Sequence, residues 1–449
     1  MNLKKYLKEC NNVVHTTINP NGPGVVRIHL VPPKKLKPGV PFVAIINGYS
    51  LIPLQTSWAV LLREFILTIN MIDGEVDDNY LDTIISKVVI NVKKIFPEAK
   101  NEMIKSDLKE IVETLVDIAL GKEVNSSIGY TTLAKYSKFM YSPHRMDLMV
   151  SAIEKNGCWN CNQRCLHCYA ANEKMAKVNE LSTNDWLKII DKCKEARIPC
   201  LTFTGGEPTL RDDLVELIDH AKWFVTRLNT NGILLTKQLC EKLYQASLDS
   251  VQITLYSYDE NIHNTLVGAN HFKDTVEGIK NAVNQGLDVS INTPLCSLNK
   301  NYLDTLKFAE DLGVKYFSTS GLIPSGNALN EASKITKLTE DEIYNSLFEA
   351  FNYAKDKNLE ISFTSPGWIS KELLNKMNMV VPSCGACISN MAIAPNGEVL
   401  PCQSFLCDDG LGNILNMSFK KIWNSKRCKS MRKISSEEEE ICQLNEVKK

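Results

Sequence analysis

The sequence predicts an α/β protein: a partial (β/α)6 barrel with a small N-terminal α+β module and a Cys-rich C-terminal extension. Three observations predict it. Six short apolar runs between residues 146 and 323 alternate with amphipathic segments, the pattern of parallel βα units. The first 130 residues read differently, as a few short strands followed by long helical stretches. Of the 15 cysteines, Cys10, Cys193, Cys200, Cys240 and Cys296 lie alone, and the others gather at 158–168 and from 384 onward.

The chain has 449 residues, room for about three domains. We divide it at 1–130, 140–358 and 359–449. With 44% hydrophobic and 23% charged residues the composition is globular. Lys+Arg 51 against Asp+Glu 52 leaves a net charge of −1, so the whole-chain balance offers no attraction to nucleic acid or an anionic membrane. No apolar run approaches the ~18 residues of a membrane span. The start, MNLKKYLKECNNVVHTT, has no apolar segment behind its lysines. A cytoplasmic, reducing location is expected, and there clustered cysteines are not presumed disulfides.

In the first module VVRIHLV, FVAIING and YSLIPL read as strands, and 57–73, 78–95 and 105–120 as helices. Residues 121–132 read as a linker. The barrel runs are MDLMVSAI (146–153), CLTFTG (200–205), FVTRLNT (224–230), SVQITLYS (250–257), DVSINTPL (288–295) and YFSTSGLI (316–323). Each is short, rich in β-branched or aromatic residues, and followed by turn chemistry. Ser182 with Asp185, and Thr339 with Glu342, carry capping-box spacing at helix starts. Six units are too few for a closed eight-fold barrel. By analogy with closed barrels, the working loops belong at the strands' C-terminal ends.

Behind the first run, GCWNCNQRCLHCYA places Cys161, Cys165 and Cys168 in a C-x3-C-x2-C spacing. At this cysteine frequency such a triplet arises by chance about 0.02 times in the chain. Structural zinc takes four tight ligands, whereas a 4Fe–4S cluster held by three cysteines leaves one iron open.

These three cysteines resemble the signature of the radical S-adenosylmethionine (SAM) superfamily, with His167 in the aromatic place before the third cysteine and Tyr169 after it. Gly205, Gly206, Glu207 and Pro208, at the end of the next strand, resemble the family's cofactor-binding motif. Glycines admit a close backbone approach, and a carboxylate can receive an ammonium. Asn229 and Asn231 end the third strand, where the family meets the ribose or carboxylate. The resemblance covers about 145–330. It implies a 4Fe–4S cluster on Cys161, Cys165 and Cys168 that binds SAM and reduces it to a 5′-deoxyadenosyl radical. One departure stands out: Leu266–Val267–Gly268 replaces an Arg-Gly that often follows in peptide-modifying members. Cys158 reads as an extra thiol beside the cluster.

In the extension, Cys384 and Cys387 precede MAIAPNGEVLPCQSF, where Asn396–Gly397 is a hairpin signal that returns Cys402 toward them. With LGNILNMSFKKIWNS (411–425) this resembles the SPASM and twitch extensions that hold auxiliary iron–sulfur clusters. The full SPASM pattern uses seven cysteines; here there are six, at 384, 387, 402, 407, 428 and 442. The expectation is one auxiliary 4Fe–4S cluster on Cys384, Cys387 and Cys402, with Cys442 as fourth ligand over Cys407 and Cys428. An open iron awaiting a substrate thiolate, or a zinc knuckle, are the alternatives. The SEEEE run (436–440) reads as a solvated charge run.

The N-terminal module resembles, by pattern alone, the element with which maturases of ribosomally made peptides add a leader peptide as a strand. A structural or dimerising cap is the alternative. Residues 323–328, Ile-Pro-Ser-Gly-Asn-Ala, resemble a stretch common in SPASM-bearing enzymes. The expectation is a peptide maturase with thioether or other cross-linking as its first-named product, a flavodoxin or ferredoxin as electron donor, and no general acid or base. A small-metabolite enzyme, or a non-catalytic iron–sulfur or zinc scaffold, are the rival readings.

Overall fold

The computed structural model describes residues 3–10, 12–18, 26–33, 40–46, 50–71, 78–119, 140–357, 359–377, 379–407, 409–437 and 441–444. The expected linker at 121–132, the 130/140 boundary and most of the glutamate run lie outside them. The chain divides into two compact units, Met1–His144 and Arg145–Lys449.

The first unit begins with a short helix, α1 (Leu3–Glu9), and has an antiparallel sheet in the order β1 (Val14–Ile18), β2 (Val26–Val31), β3 (Phe42–Ile46) and β4 (Ser50–Leu54). Three helices follow: α2 (Thr56–Ile69), α3 (Asp78–Ile95) and α4 (Asn101–Ala119). Strand alternation sends Ile28, Leu30, Ala44, Ile46, Ile52 and Leu54 to the helix side, where Leu62, Ile66, Val88 and Leu115 meet them. The opposite face buries Val31, Val43, Ile45 and Leu51. The sequence pattern missed α1 and β1. The strand β1, Val-His-Thr-Thr-Ile, has a polar middle and only Thr16 fully buried, so no apolar run marks it.

The second unit is built on a nine-stranded sheet. Six strands fall on the expected runs: β5 (Arg145–Ser151), β8 (Cys200–Gly205), β9 (Val225–Thr230), β10 (Ser250–Thr254), β11 (Asp288–Pro294) and β12 (Tyr316–Ser320). A two-residue pair, β6 (Glu154–Lys155) and β7 (Cys158–Trp159), forms a separate ribbon between β5 and the cysteine loop. All six main strands pair in parallel with their neighbours, in the order 5-8-9-10-11-12.

The sheet continues past the six on both sides. A seventh parallel strand, β13 (Glu360–Phe363), pairs with β12. On the other edge β14 (Asn390–Ile393) pairs in parallel with β5 and turns through Asn396–Gly397 into β15 (Val399–Leu400). The expected hairpin is therefore grafted onto the barrel sheet. Four residues of β13 and four of β14 are too short to register as periodic runs.

Along β10 to β12, buried Val251, Ile253, Val289, Ile291 and Phe317 alternate with half-exposed Gln252, Thr254, Ser290, Asn292, Ser318 and Ser320. The apolar set packs under helices such as Phe272–Asn284, through Ile279 and Ala282, and Tyr302–Asp311, through Leu306 and Ala309. The polar set lines the interior, where Gln252 donates to Ser318 (2.9 Å) and Ser318 to Asn292 (3.1 Å). Closed barrels fill this space with Val, Ile and Leu; this one keeps it polar. Thr339 and Glu342 close the expected capping box.

His263 is fully buried on helix Glu260–Val267, and its Nδ1 accepts from the Tyr256 amide at 3.4 Å. Burial, assisted by His271, lowers its pKa to about 4. The folded state therefore favours the neutral ring. That stability is present above the unfolded value of roughly 6.5 and is lost as pH falls from there toward 4, on the order of 2–3 kcal/mol. We predict that His263→Phe flattens the decline of the urea midpoint between pH 6.5 and 4.5 relative to wild type. Parallel declines would assign the acid sensitivity to other groups.

Candidate cofactor and iron–sulfur sites

The residues 160–170 form turns with no helix or strand, and three distant segments fix them. On one side the amides of Arg164 and Leu166 donate to the carbonyls of Val267 and Leu266 (2.9 and 2.8 Å). On another, Asn327 donates from its amide to the Cys168 carbonyl (2.9 Å) and from Nδ2 to the Cys165 carbonyl (3.2 Å). Ser333 Oγ donates to the Leu166 carbonyl (2.9 Å). The third tie is Asn231 Nδ2 donating to Asn162 Oδ1 (2.6 Å).

The approach is so close that two positions must be glycine. Gly268 (φ 65°) would put a Cβ into the Arg164 carbonyl, and Gly326 (φ 57°) would put one into the carbonyls of Cys168 and Tyr169. Both have the left-handed backbone that glycine takes without steric cost. Leu266–Val267–Gly268 thus braces the cysteine loop through its backbone, a role that its missing arginine hid. The Pro324–Ala328 stretch has the same role on the other side. Neither role was legible in the sequence.

Within this frame Cys161, Cys165 and Cys168 are half-buried, and the thiol of Cys165 lies in electrostatic range of the other two. Burial pushes Cys161 up to about 12 and raises Cys165 and Cys168 as well. Thiols this reluctant to ionise become thiolates when a metal supplies the compensating charge. Cys158 is exposed on the β6–β7 ribbon. Among the described residues, no three Cys, His, Asp or Glu side chains converge closely enough to ligate a single ion.

Glu207 is 1% exposed, and its carboxylate already accepts four protein hydrogen bonds. Oε1 accepts from the Thr209 amide (3.0 Å), the Thr209 hydroxyl (2.6 Å) and the Thr230 hydroxyl (2.7 Å). Oε2 accepts from the Asn231 amide (2.8 Å). Burial raises its pKa and these bonds oppose the rise. The carboxylate thus ties the end of β8 to the end of β9. The atom of this motif facing the cysteine loop is the Gly206 carbonyl, 3.6 Å from Cys161 Sγ. A Cβ on Gly206 would meet the Ala152 carbonyl at 2.8 Å, so the β8 glycines serve the contact with β5. Pro208 opens a short 3₁₀ turn just beyond.

Asn229 faces the interior from β9, and its Oδ1 is buried without a partner among the described residues. His167 is neutral, held near pKa 4 by burial. The Thr336 hydroxyl donates to the Ser333 carbonyl (2.7 Å), so its oxygen accepts from His167 Nε2 (2.8 Å). His167 therefore anchors the loop. The Tyr169 ring packs with Met149, Ala392 and Leu400, and its hydroxyl feels Cys168, Asp147 and Cys402.

In the extension, Cys384 packs with Phe405 and Leu444, and Cys402, Cys407 and Cys442 border the same cluster. Burial pushes Cys402 up to about 12, with Cys384 and Cys442 adding to the rise. Cys387, fully buried, lies in electrostatic range of both Cys402 and Cys428, the latter on helix Lys426–Glu437.

Two family models match the chain, the radical SAM superfamily over residues 160–312 and the SPASM iron–sulfur cluster-binding domain over 384–444. The chain is a radical SAM enzyme with a SPASM domain. Its radical SAM domain binds a 4Fe–4S cluster and SAM, and its SPASM domain is an iron–sulfur cluster-binding module. Three half-buried cysteines on one braced loop suit the first group, as does the partnerless Asn229 Oδ1 on the barrel's inner face. The gathered Cys384, Cys402, Cys407 and Cys442 suit the second.

Among relatives, the AdoMet-dependent heme synthase of Oleidesulfovibrio alaskensis is 26% identical over 282 residues, 59% of this chain and 72% of that protein. The probable GTP 3',8-cyclase of Methanopyrus kandleri is 32% identical over 189 residues, 40% of this chain and 61% of that protein. The fold resembles Streptococcus suis SuiB bound to its precursor peptide SuiA, with TM-score 0.58 and 15% identity over 87% of each chain.

We predict that Gly268→Ala and Gly326→Ala each lower the iron bound by the reconstituted radical SAM enzyme and cost more than ~2 kcal/mol. Gly286→Ala (φ 83°), whose Cβ would meet nothing within 4 Å, is the control. It carries only the roughly 1 kcal/mol backbone cost and keeps full iron. Full iron in the first two variants would contradict the bracing role.

Proposed function

We propose that this enzyme modifies a ribosomally made precursor peptide. The carrying observation is the extent of the fold likeness. The second unit is about two thirds of the chain, yet the likeness to SuiB spans 87% of it and so must include much of the N-terminal unit. In this reading β1, at one edge of the antiparallel sheet, offers its backbone to a leader peptide as an added strand.

The cofactor would be held by Cys161, Cys165 and Cys168, with the Gly206 carbonyl, Asn229 and Asn231 around it. When bound, it supplies hydrogen abstraction by a carbon radical after one-electron reductive cleavage. The protein's own part is to position and to exclude water. His167 and Asn231 hold the cysteine loop, and Glu207 holds the two strand ends beneath it. The polar wall of Gln252, Asn292 and Ser318 would hydrogen-bond a peptide segment. Cys384, Cys387, Cys402 and Cys442, with Cys407 bordering the same cluster, would hold one auxiliary 4Fe–4S cluster. That cluster would accept an electron or bind a substrate thiolate, which suits thioether formation. A flavodoxin- or ferredoxin-class protein would supply the first electron.

The names of the sequence relatives favour a second reading, a small-molecule substrate. The polar interior speaks against a large apolar ring system and leaves a polar metabolite as the rival. Hydrogen exchange on the full-length enzyme separates the two. With candidate precursor peptides, we predict slowed exchange in residues 14–18, together with a peptide-dependent loss of two mass units from the product. Turnover of a metabolite with no peptide-induced protection of β1 would reject the peptide reading.

A further inference from the structure

Leu148 of β5, Phe203 of β8, Leu228 of β9 and Val251 of β10 are cross-strand neighbours, and all four are fully buried. Val251 belongs to the set that packs under the helices, so strand alternation turns Asp147, Thr202, Arg227 and Ser250 to the lumen. These four form one row. Asp147 pairs with Thr202, Thr202 with Arg227, and Arg227 with Ser250.

Three observations single the row out. Asp147, 1% exposed, is ion-paired to Arg145 at 2.9 Å, so its carboxylate is already engaged. Arg227 is only half-buried, and its one hydrogen bond among the described residues runs from Nε to Ser250 Oγ (3.4 Å). Asp288, next along the row on β11, is exposed and makes no ion pair with it among the described residues. Between Asp147 and Arg227 sits Thr202, 2% exposed, with its Oγ1 lacking a hydrogen-bond partner among the described residues. Burial and the Arg145 guanidinium both lower the pKa of Arg227, whereas Asp147 raises that of Arg145. A buried hydroxyl without a partner and an enclosed guanidinium without a counter-charge are both costly, and one bound anion relieves both. The forked Nη donors of a guanidinium match a carboxylate through two parallel hydrogen bonds.

We propose that Arg227 and Thr202 form a carboxylate-binding subsite inside the barrel, and that the substrate of this enzyme places an acidic group there. Asn229, the next inward residue of β9, lies nearer the cofactor by about 7 Å along the strand. A substrate anchored at Arg227 therefore presents carbons beyond its acid group to the cofactor. A glutamate or aspartate side chain of a peptide and a free dicarboxylic acid offer the same group, so the inference does not rest on the peptide reading.

The test uses the iron-loaded full-length enzyme, unreduced and with SAM bound. Phenylglyoxal modifies unpaired guanidinium groups, and its rate at Arg227 is read by peptide mass spectrometry. Two acidic probes are titrated, glutarate and acetyl-Gly-Glu-Gly-amide, beside their neutral counterparts glutaramide and acetyl-Gly-Gln-Gly-amide. Arg227 should react, and an acidic probe well above its Kd should slow the reaction about tenfold or more while its neutral counterpart does not. The tighter acidic probe assigns the source of the carboxylate, peptide side chain or free acid. Thr202→Val, which removes the hydroxyl and keeps the shape, should raise the concentration for half-protection about tenfold at unchanged iron content. An unreactive Arg227, no protection by either acidic probe, or equal protection by the neutral ones would overturn the proposal. So would unchanged half-protection in Thr202→Val.

Discussion

A loop with no regular structure carries the three cysteines of the radical SAM domain, and the site depends on how its backbone is held. Leu166, Cys165 and Cys168 give their carbonyls to Ser333 and Asn327, as many as 167 positions away in sequence. Arg164 and Leu166 give their amides to Val267 and Leu266. Satisfying these groups inside the protein removes the cost of burying them and leaves the thiols one arrangement instead of many. The two glycines permit the approach, since any side chain at 268 or 326 would occupy the space of a carbonyl.

The sheet brings the two cysteine groups into one unit. β5 leads into the first cysteine loop and also pairs with β14, which lies between Cys387 and Cys402. Tyr169, next to Cys168, reaches to within electrostatic range of Cys402 through the apolar contact of Met149, Ala392 and Leu400. The SPASM domain is therefore a continuation of the barrel sheet. Its Ala392, Leu400 and Leu406 pack in one cluster with Cys161 and Cys168. The same sheet turns its other face to the helices, and the alternation of Val251 and Ile253 with Gln252 and Thr254 keeps the barrel lumen polar.

The six main strands, the capped helix at Thr339 and the Asn396–Gly397 hairpin were legible because each has a local cause: an apolar run, a side-chain cap, or a turn residue. The cysteine spacing and the Gly205–Pro208 motif were legible as chemistry. What stayed hidden was non-local. β13 and β14 are strands only because β12 and β5 offer them an edge. Glu207 reads as a ligand in sequence, and the bonds its carboxylate also makes to Thr209, Thr230 and Asn231 carried no signal there. Cys387 reads as half of a Cys-x-x-Cys ligand pair, but its left-handed backbone (φ 57°) carried no signal in the sequence. Gly268 and Gly326 carry no signal until the loop they meet is in view.

The central claim is that the braced cysteine loop and the SPASM cysteines hold two separate iron–sulfur centres, and that only the first drives SAM cleavage. The most direct measurement is made under anaerobic reconstitution. Iron per chain and 5′-deoxyadenosine after reduction are compared between the wild type and a variant with Cys161, Cys165 and Cys168 all changed to Ala. The account predicts about eight irons falling to about four, with deoxyadenosine abolished. Zinc in place of iron, or undiminished deoxyadenosine in the variant, would contradict it.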